Sequence, residues 1–183
     1  DEILAQELLG LVDNPTELQS YEDAQGASAL SLPAGNYSYV IITSNALKNS
    51  FQPLINQKIS RGVTAKIVTL ESDIYPNYTG TETHDNPDKI RQFVKDAYTN
   101  WGTRWVLLGG DVEVVPVRKV YASNTAETTF DMPYDGYYSC LDGPFNGNGD
   151  SVWGQSNDGV GGGDIDFGAE VYIGRAPASN TSE

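Results

Sequence analysis

Apolar residues form short runs and helical stripes in the middle of the chain and lose their period on either side of it. Tyr39-Val-Ile-Ile-Thr-Ser44 is a compact, β-branched apolar run, which predicts a buried strand. Leu47, Phe51, Leu54, Ile55 and Ile59 then recur at spacings of three and four, a helical stripe that ends at about Arg61, with Gly62 where a helix C-cap belongs. Thr64-Ala-Lys-Ile-Val-Thr-Leu70 predicts a second strand. Asp85-Asn-Pro-Asp88 has the signature of a helix start, and Ile90, Phe93, Val94, Ala97 and Tyr98 supply that helix's buried stripe. Arg104-Trp-Val-Leu-Leu-Gly-Gly110 predicts a third strand. Residues 39–110 therefore read β-α-β-α-β. Crossovers of this kind are right-handed, so the expected class is α/β: a doubly wound, mostly parallel sheet with helices on both faces.

The flanks read differently. Residues 3–12 predict a short amphipathic helix, and residues 13–36, with Pro15, Gly26, Pro33 and Gly35, predict a connecting arm. Val112–Tyr121 is extended, with Pro116 marking an edge or a turn. Residues 122–168 are rich in Gly, Asp and Asn and have little period, so an irregular insertion is expected there. Ala169-Glu-Val-Tyr-Ile-Gly-Arg175 predicts one more strand.

Charge follows the same division. The 183 residues carry a net charge of −14. Residues 1–38 hold seven acids and no Lys or Arg, residues 39–119 hold eight acids and ten bases, and residues 120–174 hold nine acids and no base. Such a chain repels phosphate, so nucleic-acid binding is not expected. No apolar run is long enough to span a bilayer, so membrane insertion is not expected either. A single cysteine, Cys140, excludes an internal disulfide and a cysteine-based zinc site. Abundant Tyr and Gly, scarce Lys and three sequons at Asn36, Asn77 and Asn180 point to a secreted or cell-surface protein.

The candidate chemistry is limited. Gly109-Gly110-Asp111 and Gly161-Gly-Gly163 lack the residues of a phosphate loop. Asp111 lies where a phospho-acceptor would sit, but Thr43-Ser44-Asn45 supplies no acidic pair, so a turn-capping role is expected. Cys140 and His84 are the sole thiol and imidazole, a weak candidate for a nucleophile and its base. The strongest local signal is acidic. Asp142, Asn146, Asn148 and Asp150 offer oxygens separated by glycines, and Asp158, Asp164 and Asp166 follow without a basic partner. Hard oxygen donors in that pattern suit a structural Ca²⁺, although the spacing is not that of an EF-hand.

Several segments together resemble the gingipain family of secreted cysteine endopeptidases, of the caspase-like clan. They are Tyr39-Val-Ile-Ile-Thr-Ser44, Lys58-Ile-Ser-Arg-Gly-Val63, Lys89–Tyr98, Trp105-Val-Leu-Leu-Gly-Gly-Asp-Val-Glu-Val-Val-Pro-Val-Arg118, Asp131-Met-Pro-Tyr-Asp-Gly-Tyr-Tyr138 and Glu170-Val-Tyr-Ile-Gly-Arg175. The match runs over about residues 38–176. The resemblance implies a caspase-like, flavodoxin-like three-layer fold in which residues 38–183 form the N-terminal α/β subdomain, preceded by an acidic arm over residues 1–37. It also implies that the Cys/His dyad lies in a second subdomain beyond Glu183, because Cys140 does not match the nucleophile and no His-Gly pair is present. No catalytic residue is assigned to this chain. The expected partners are that C-terminal catalytic subdomain, as a separate chain after processing, and protein or peptide substrates. The alternative is a calcium-binding extracellular adhesion or interaction module with the same fold and no chemistry.

Overall fold

A computed structural model describes residues 32–123 and 128–183, so the predicted helix at 3–12 and most of the predicted arm lie outside the described residues. Four strands form one parallel sheet: β1 (Tyr39–Thr43), β2 (Ala65–Thr69), β3 (Trp105–Gly109) and β6 (Tyr172–Ala176), in the order β2-β1-β3-β6. Tyr39 lies beside both Ala65 and Trp105, and Trp105 lies beside Tyr172. Helix α1 (Lys48–Ser60) links β1 to β2, and α2 (Asn86–Trp101) links β2 to β3. The expected doubly wound α/β class is what the chain adopts.

Side-chain alternation explains how the sheet takes two layers of cover. Ile41 and Ala65 face α1 and pack with its Ile55, Phe51 and Leu54. Val40, Ile42, Val68, Val106 and Leu108 face the other way, onto Ile90, Phe93, Val94, Ala97 and Trp101 of α2. That second cluster continues into Tyr137, Tyr138, Phe145, Trp153, Ile165 and Val171 of the irregular segment. Ile59, at the far end of the predicted α1 stripe, is exposed.

The helix ends follow local chemistry. Asp85 caps α2 by accepting the Asp88 N–H at 3.0 Å, and Gly102 ends it in the left-handed conformation that a glycine adopts without strain. Gly62 does the same after α1. Residues 32–37 pack on the core rather than trailing from it: the Trp101 indole donates to the Pro33 carbonyl at 2.9 Å, and Tyr37 meets the Trp101 ring edge-on.

The structure departs from the sequence reading between Asp111 and Tyr138. Val112–Val115 is not extended but turns back, with the Val114 and Val115 amides donating to the Asp111 carbonyl. The strand begins only at Arg118: β4 (Arg118–Ser123) pairs antiparallel with β5 (Thr128–Tyr134), with a register shift between Val120 and Ala122. β5 escapes pattern reading because Asp131 and Pro133 interrupt its alternation. Pro133 is tolerated because this two-stranded sheet is all edge.

Candidate functional site

Parallel strands present their carboxyl ends at one edge, and connections leaving β1 and β3 toward opposite faces open a crevice there. A cavity of about 420 Å³ lies at this edge, lined by Ser44 and Leu47 after β1, Glu71 after β2, Glu113 after β3 and Ser179–Thr181 after β6. Glu71 already accepts the Asn45 amide at 2.8 Å. Asp111 turns its carboxylate onto the Val112 amide at 2.7 Å, the capping role expected of it.

The irregular acidic segment is attached to this frame by three arginines that pattern reading did not single out. Arg91 of α2 is buried and donates to the carbonyls of Cys140 (2.7 Å) and Gly143 (3.0 Å), while its other arm reaches Glu82 at 3.0 Å. The rings of Tyr137 and Phe145 lie against the guanidinium, 4.9 and 5.0 Å away. Arg118 of β4 grips Asp85 with two bonds of 2.9 and 2.8 Å and stacks on Trp153. Arg175 of β6 takes Asp135 at 2.8 and 2.6 Å and also donates to the Gly110 and Val115 carbonyls. A signal for one of them was present: Arg91 sits inside the apolar stripe of α2, where a cation needs buried partners. Lys95, one turn further along, is half-buried near Arg91; burial, then that neighbouring charge, brings its ammonium down to about 8.

A short turn before α2 is organised by one carboxylate. Asp88 is buried and accepts the amides of Glu82, Thr83 and His84 within 3.0 Å. Burial alone would raise its pKa, but these N–H groups outweigh it and hold the carboxyl below its usual value. Asp85 is lowered in the same way, with Arg118 opposing its burial.

The seven oxygen-bearing residues expected to hold a cation do not form one cluster. Asn146, Asn148 and Asp150 fold on themselves: the Asn146 amide donates to the Asp150 carbonyl at 2.7 Å, and the Asn148 carbonyl oxygen accepts the Asp150 amide at 2.8 Å. Asp150 spends its own oxygens on Val152 and Asn148. Asp158 approaches this turn from behind, with its backbone carbonyl accepting the Gly147 amide. Asp166, on the exposed surface beside Gly143, caps the Gly168 amide, and Asp164 is exposed. Among the described residues no group of three or more His, Cys, Asp or Glu side chains gathers as a metal-holding set. Three oxygens nevertheless stand out. Asp142 Oδ1, Asn146 Oδ1 and Asp158 Oδ1 are buried without a hydrogen-bond partner, and Asp158 is 0% exposed. A buried, unpaired carboxylate oxygen is costly, and a hard cation or a water molecule is what would satisfy it.

Cys140 and His84 are not brought together. The thiol is buried against Ser139 and Tyr134. Burial pushes its pKa up despite those hydrogen bonds, so the thiolate is disfavoured. His84 has a positive φ of 62° and turns Nδ1 to the carbonyls of Thr79 and Gly80. The three sequon asparagines, Asn36, Asn77 and Asn180, are all exposed.

Residues 32–183 match the profile of Peptidase family C25, and the chain belongs to that family. The gingipain resemblance of the sequence is thereby borne out. No curated protein matches the chain. Solved structures that resemble it include one described as a protease, with TM-score 0.49 and 18% identity, covering 80% of this chain and 25% of that one. Dimeric latent PorU from Porphyromonas gingivalis resembles it with TM-score 0.48 and 15% identity, over 79% of this chain and 14% of that one. The chain thus spans a minor part of either protein's length.

Proposed function

We propose that this chain is the non-catalytic α/β part of a secreted cysteine endopeptidase whose Cys/His dyad lies outside it. The observation that carries the reading is the state of Cys140. It is a buried, proton-retaining thiol with no imidazole beside it, inside a chain that belongs to a cysteine peptidase family. In such an enzyme a thiolate attacks the peptide carbonyl and a histidine protonates the leaving amine. The C-terminal catalytic subdomain is the proposed partner, held non-covalently after processing, and proteins or peptides are the proposed substrates. Cys140→Ala in the complete protein tests this. Peptidase turnover is expected to persist at the parent level, and its loss in a variant that still melts normally would move the nucleophile back to Cys140. A complete protein with no thiol-dependent peptidase activity would instead support the adhesion-module alternative.

Calcium belongs to the same proposal. Asp142, Asn146 and Asp158 would hold it through their unpaired oxygens, with Asn148, Asp150, Asp164 and Asp166 as further candidate ligands. A bound Ca²⁺ would supply positive charge to a segment that has no base of its own. Asp158 keeps one oxygen on the Gln155 amide at 2.8 Å, so the chain already orients that carboxylate. A melting temperature that is the same with and without chelator would argue against a structural site.

A further inference from the structure

Two asparagine–glycine pairs stand back to back in the acidic segment, Asn146-Gly147 and Asn148-Gly149, and no other asparagine in the chain precedes a glycine. Such a pair is chemically labile. The glycine's backbone nitrogen can attack the asparagine's side-chain carbonyl carbon, and a glycine has no Cβ to hinder the approach. The two pairs share the same covalent chemistry, so a difference in their reactivity has to come from the fold.

The first pair is locked. The Gly147 amide donates to the Asp158 carbonyl at 2.9 Å. A Cβ on Gly147 would meet that same oxygen at 2.6 Å and the Gly159 carbonyl at 3.1 Å, so the peptide is wedged against a second stretch of backbone. The Asn146 side-chain nitrogen is tied to the Asp150 carbonyl at 2.7 Å, and its Oδ1 is buried. Cyclisation there would break both bonds and strip Asp158, itself fully buried, of a donor.

The second pair is held differently. The Gly149 amide donates to the Asn146 carbonyl at 3.2 Å, at the long end of such bonds. A Cβ on Gly149 would meet nothing within 4 Å among the described residues, so this peptide is free of the wedge that holds Gly147. The Asn148 side chain is also aligned for reaction. Its Oδ1 accepts the Asp150 amide at 2.8 Å, so a donor already points at the oxygen where negative charge develops when the carbonyl carbon is attacked. Its Nδ2, the leaving nitrogen, lies 3.3 Å from Asp150 Oδ2, a carboxylate that can relay a proton to it.

We propose that Asn148-Gly149 is a self-modification site, at which the folded chain converts asparagine to aspartate or isoaspartate with the Asp150 amide and carboxylate assisting. A bond forms between the Gly149 nitrogen and Asn148 Cγ, and the Cγ–Nδ2 bond breaks. The proton given up by Gly149 is relayed through Asp150 to Nδ2, which leaves as ammonia. Water then opens the cyclic imide at either carbonyl. Both products add a negative charge to residues 120–174, which hold nine acids and no Lys or Arg. The isoaspartate product also routes the main chain through the former side chain and so undoes the Asn148–Asp150 turn. This goes beyond the peptidase reading and does not depend on it, since neither the dyad nor a bound cation enters.

The test uses the complete natural protein, kept in mildly alkaline buffer both folded and in urea, with conversion at each asparagine read by peptide mass spectrometry. In urea the two positions are expected to convert at similar rates. In the folded protein Asn148 is expected to convert about tenfold faster than Asn146, whose reaction needs a local opening. Asp150→Ala keeps the amide donor and removes the carboxylate; it is expected to slow conversion of Asn148 about tenfold in the folded protein and to leave the rates in urea nearly unchanged. Conversion of Asn146 as fast as Asn148 in the folded protein would overturn the proposal, as would equal protection of both. So would a folded Asp150→Ala protein that converts Asn148 at the parent rate. Should that variant fail to fold, the comparison of the two positions in the parent protein decides.

Discussion

The two halves of the described chain are held together by different physics. Residues 39–110 depend on apolar burial with a regular period: Val40, Ile41, Ile42 and Leu108 are fully buried, and α1 and α2 lay helical stripes across them. Residues 111–171 have few regular elements, and their aromatic residues are packed around guanidinium groups. Carbonyls at Cys140, Gly143 and Val115 receive N–H bonds from Arg91 and Arg175. The apolar core of the first half would tolerate other well-packed apolar sets of similar volume. The second requires particular donors at particular places, because a buried guanidinium or carbonyl that loses its partner keeps its full desolvation cost.

The largest test of this contrast is Arg91→Met. It keeps the volume of the side chain but leaves Glu82 and the Cys140 and Gly143 carbonyls unpaired, and it is expected to cost about 3–5 kcal/mol. Limited proteolysis should then cut within residues 142–168 before it cuts the sheet; simultaneous loss of both halves would mean they are one cooperative unit. Leu108→Ala probes the other half and is expected to cost about 2–5 kcal/mol through a core cavity, lowering the denaturant midpoint without selective cleavage. Chelation comes next. If Ca²⁺ is present at a hundred times its dissociation constant, its removal lowers stability by about 2.7 kcal/mol, read as a drop in melting temperature that Asp158→Asn abolishes. Gly109→Ala pushes a methyl into the Phe51 ring and is expected to cost about 1–3 kcal/mol, whereas Gly174→Ala, where an added methyl meets nothing within 4 Å, serves as the reference for glycine replacement in a strand.

The smallest expected effect is on acid stability. Asp85 and Asp88 both titrate below the ordinary value of 3.8 in the folded chain. Their contribution is fully present above that value and is lost as the pH falls through the lowered one. Asp88→Asn should flatten the acid limb of the stability profile below pH 3.8, measured by urea denaturation across the pH series. An unchanged limb would remove Asp88 from the acid response.

Legibility followed the same division. Strands 1 to 3 and both helices could be read because hydrophobic period and capping residues are local signals, and Asp85 and Gly62 do what their types suggest; the start of α1 could not, since Asn45 or Ser44 would be its expected cap and the helix begins after Leu47 with no side-chain cap. β5 was hidden, since a pair of edge strands needs no apolar alternation and Pro133 breaks what there is. The arginine attachments were hidden because a side chain that crosses to a distant carbonyl leaves no spacing in the sequence. The acidic block from 120 to 174 looked unbalanced, yet its flanks lend it charge: Arg175 holds Asp135 and Lys119 meets Asp131 at 3.2 Å. What stayed unbalanced inside it is narrower than composition implied, centred on Asp142, Asn146 and Asp158.

The order of strand pairing has a kinetic consequence. The Asp88 turn closes between residues 82 and 88, so it can form on the timescale of loop closure, well before any strand finds its partner. β6 is at the other extreme. Trp105 must wait for Tyr172, across the whole hairpin and acidic segment, before the last register is set. Non-local pairing of that kind is slow and comes late. Substitutions in β6 should therefore speed unfolding more than they slow folding, whereas changes on the β2 side of β1, whose pairing closes across a single helix, should slow folding more. The rim strand would then be the part of this sheet that sets how long the folded state lasts.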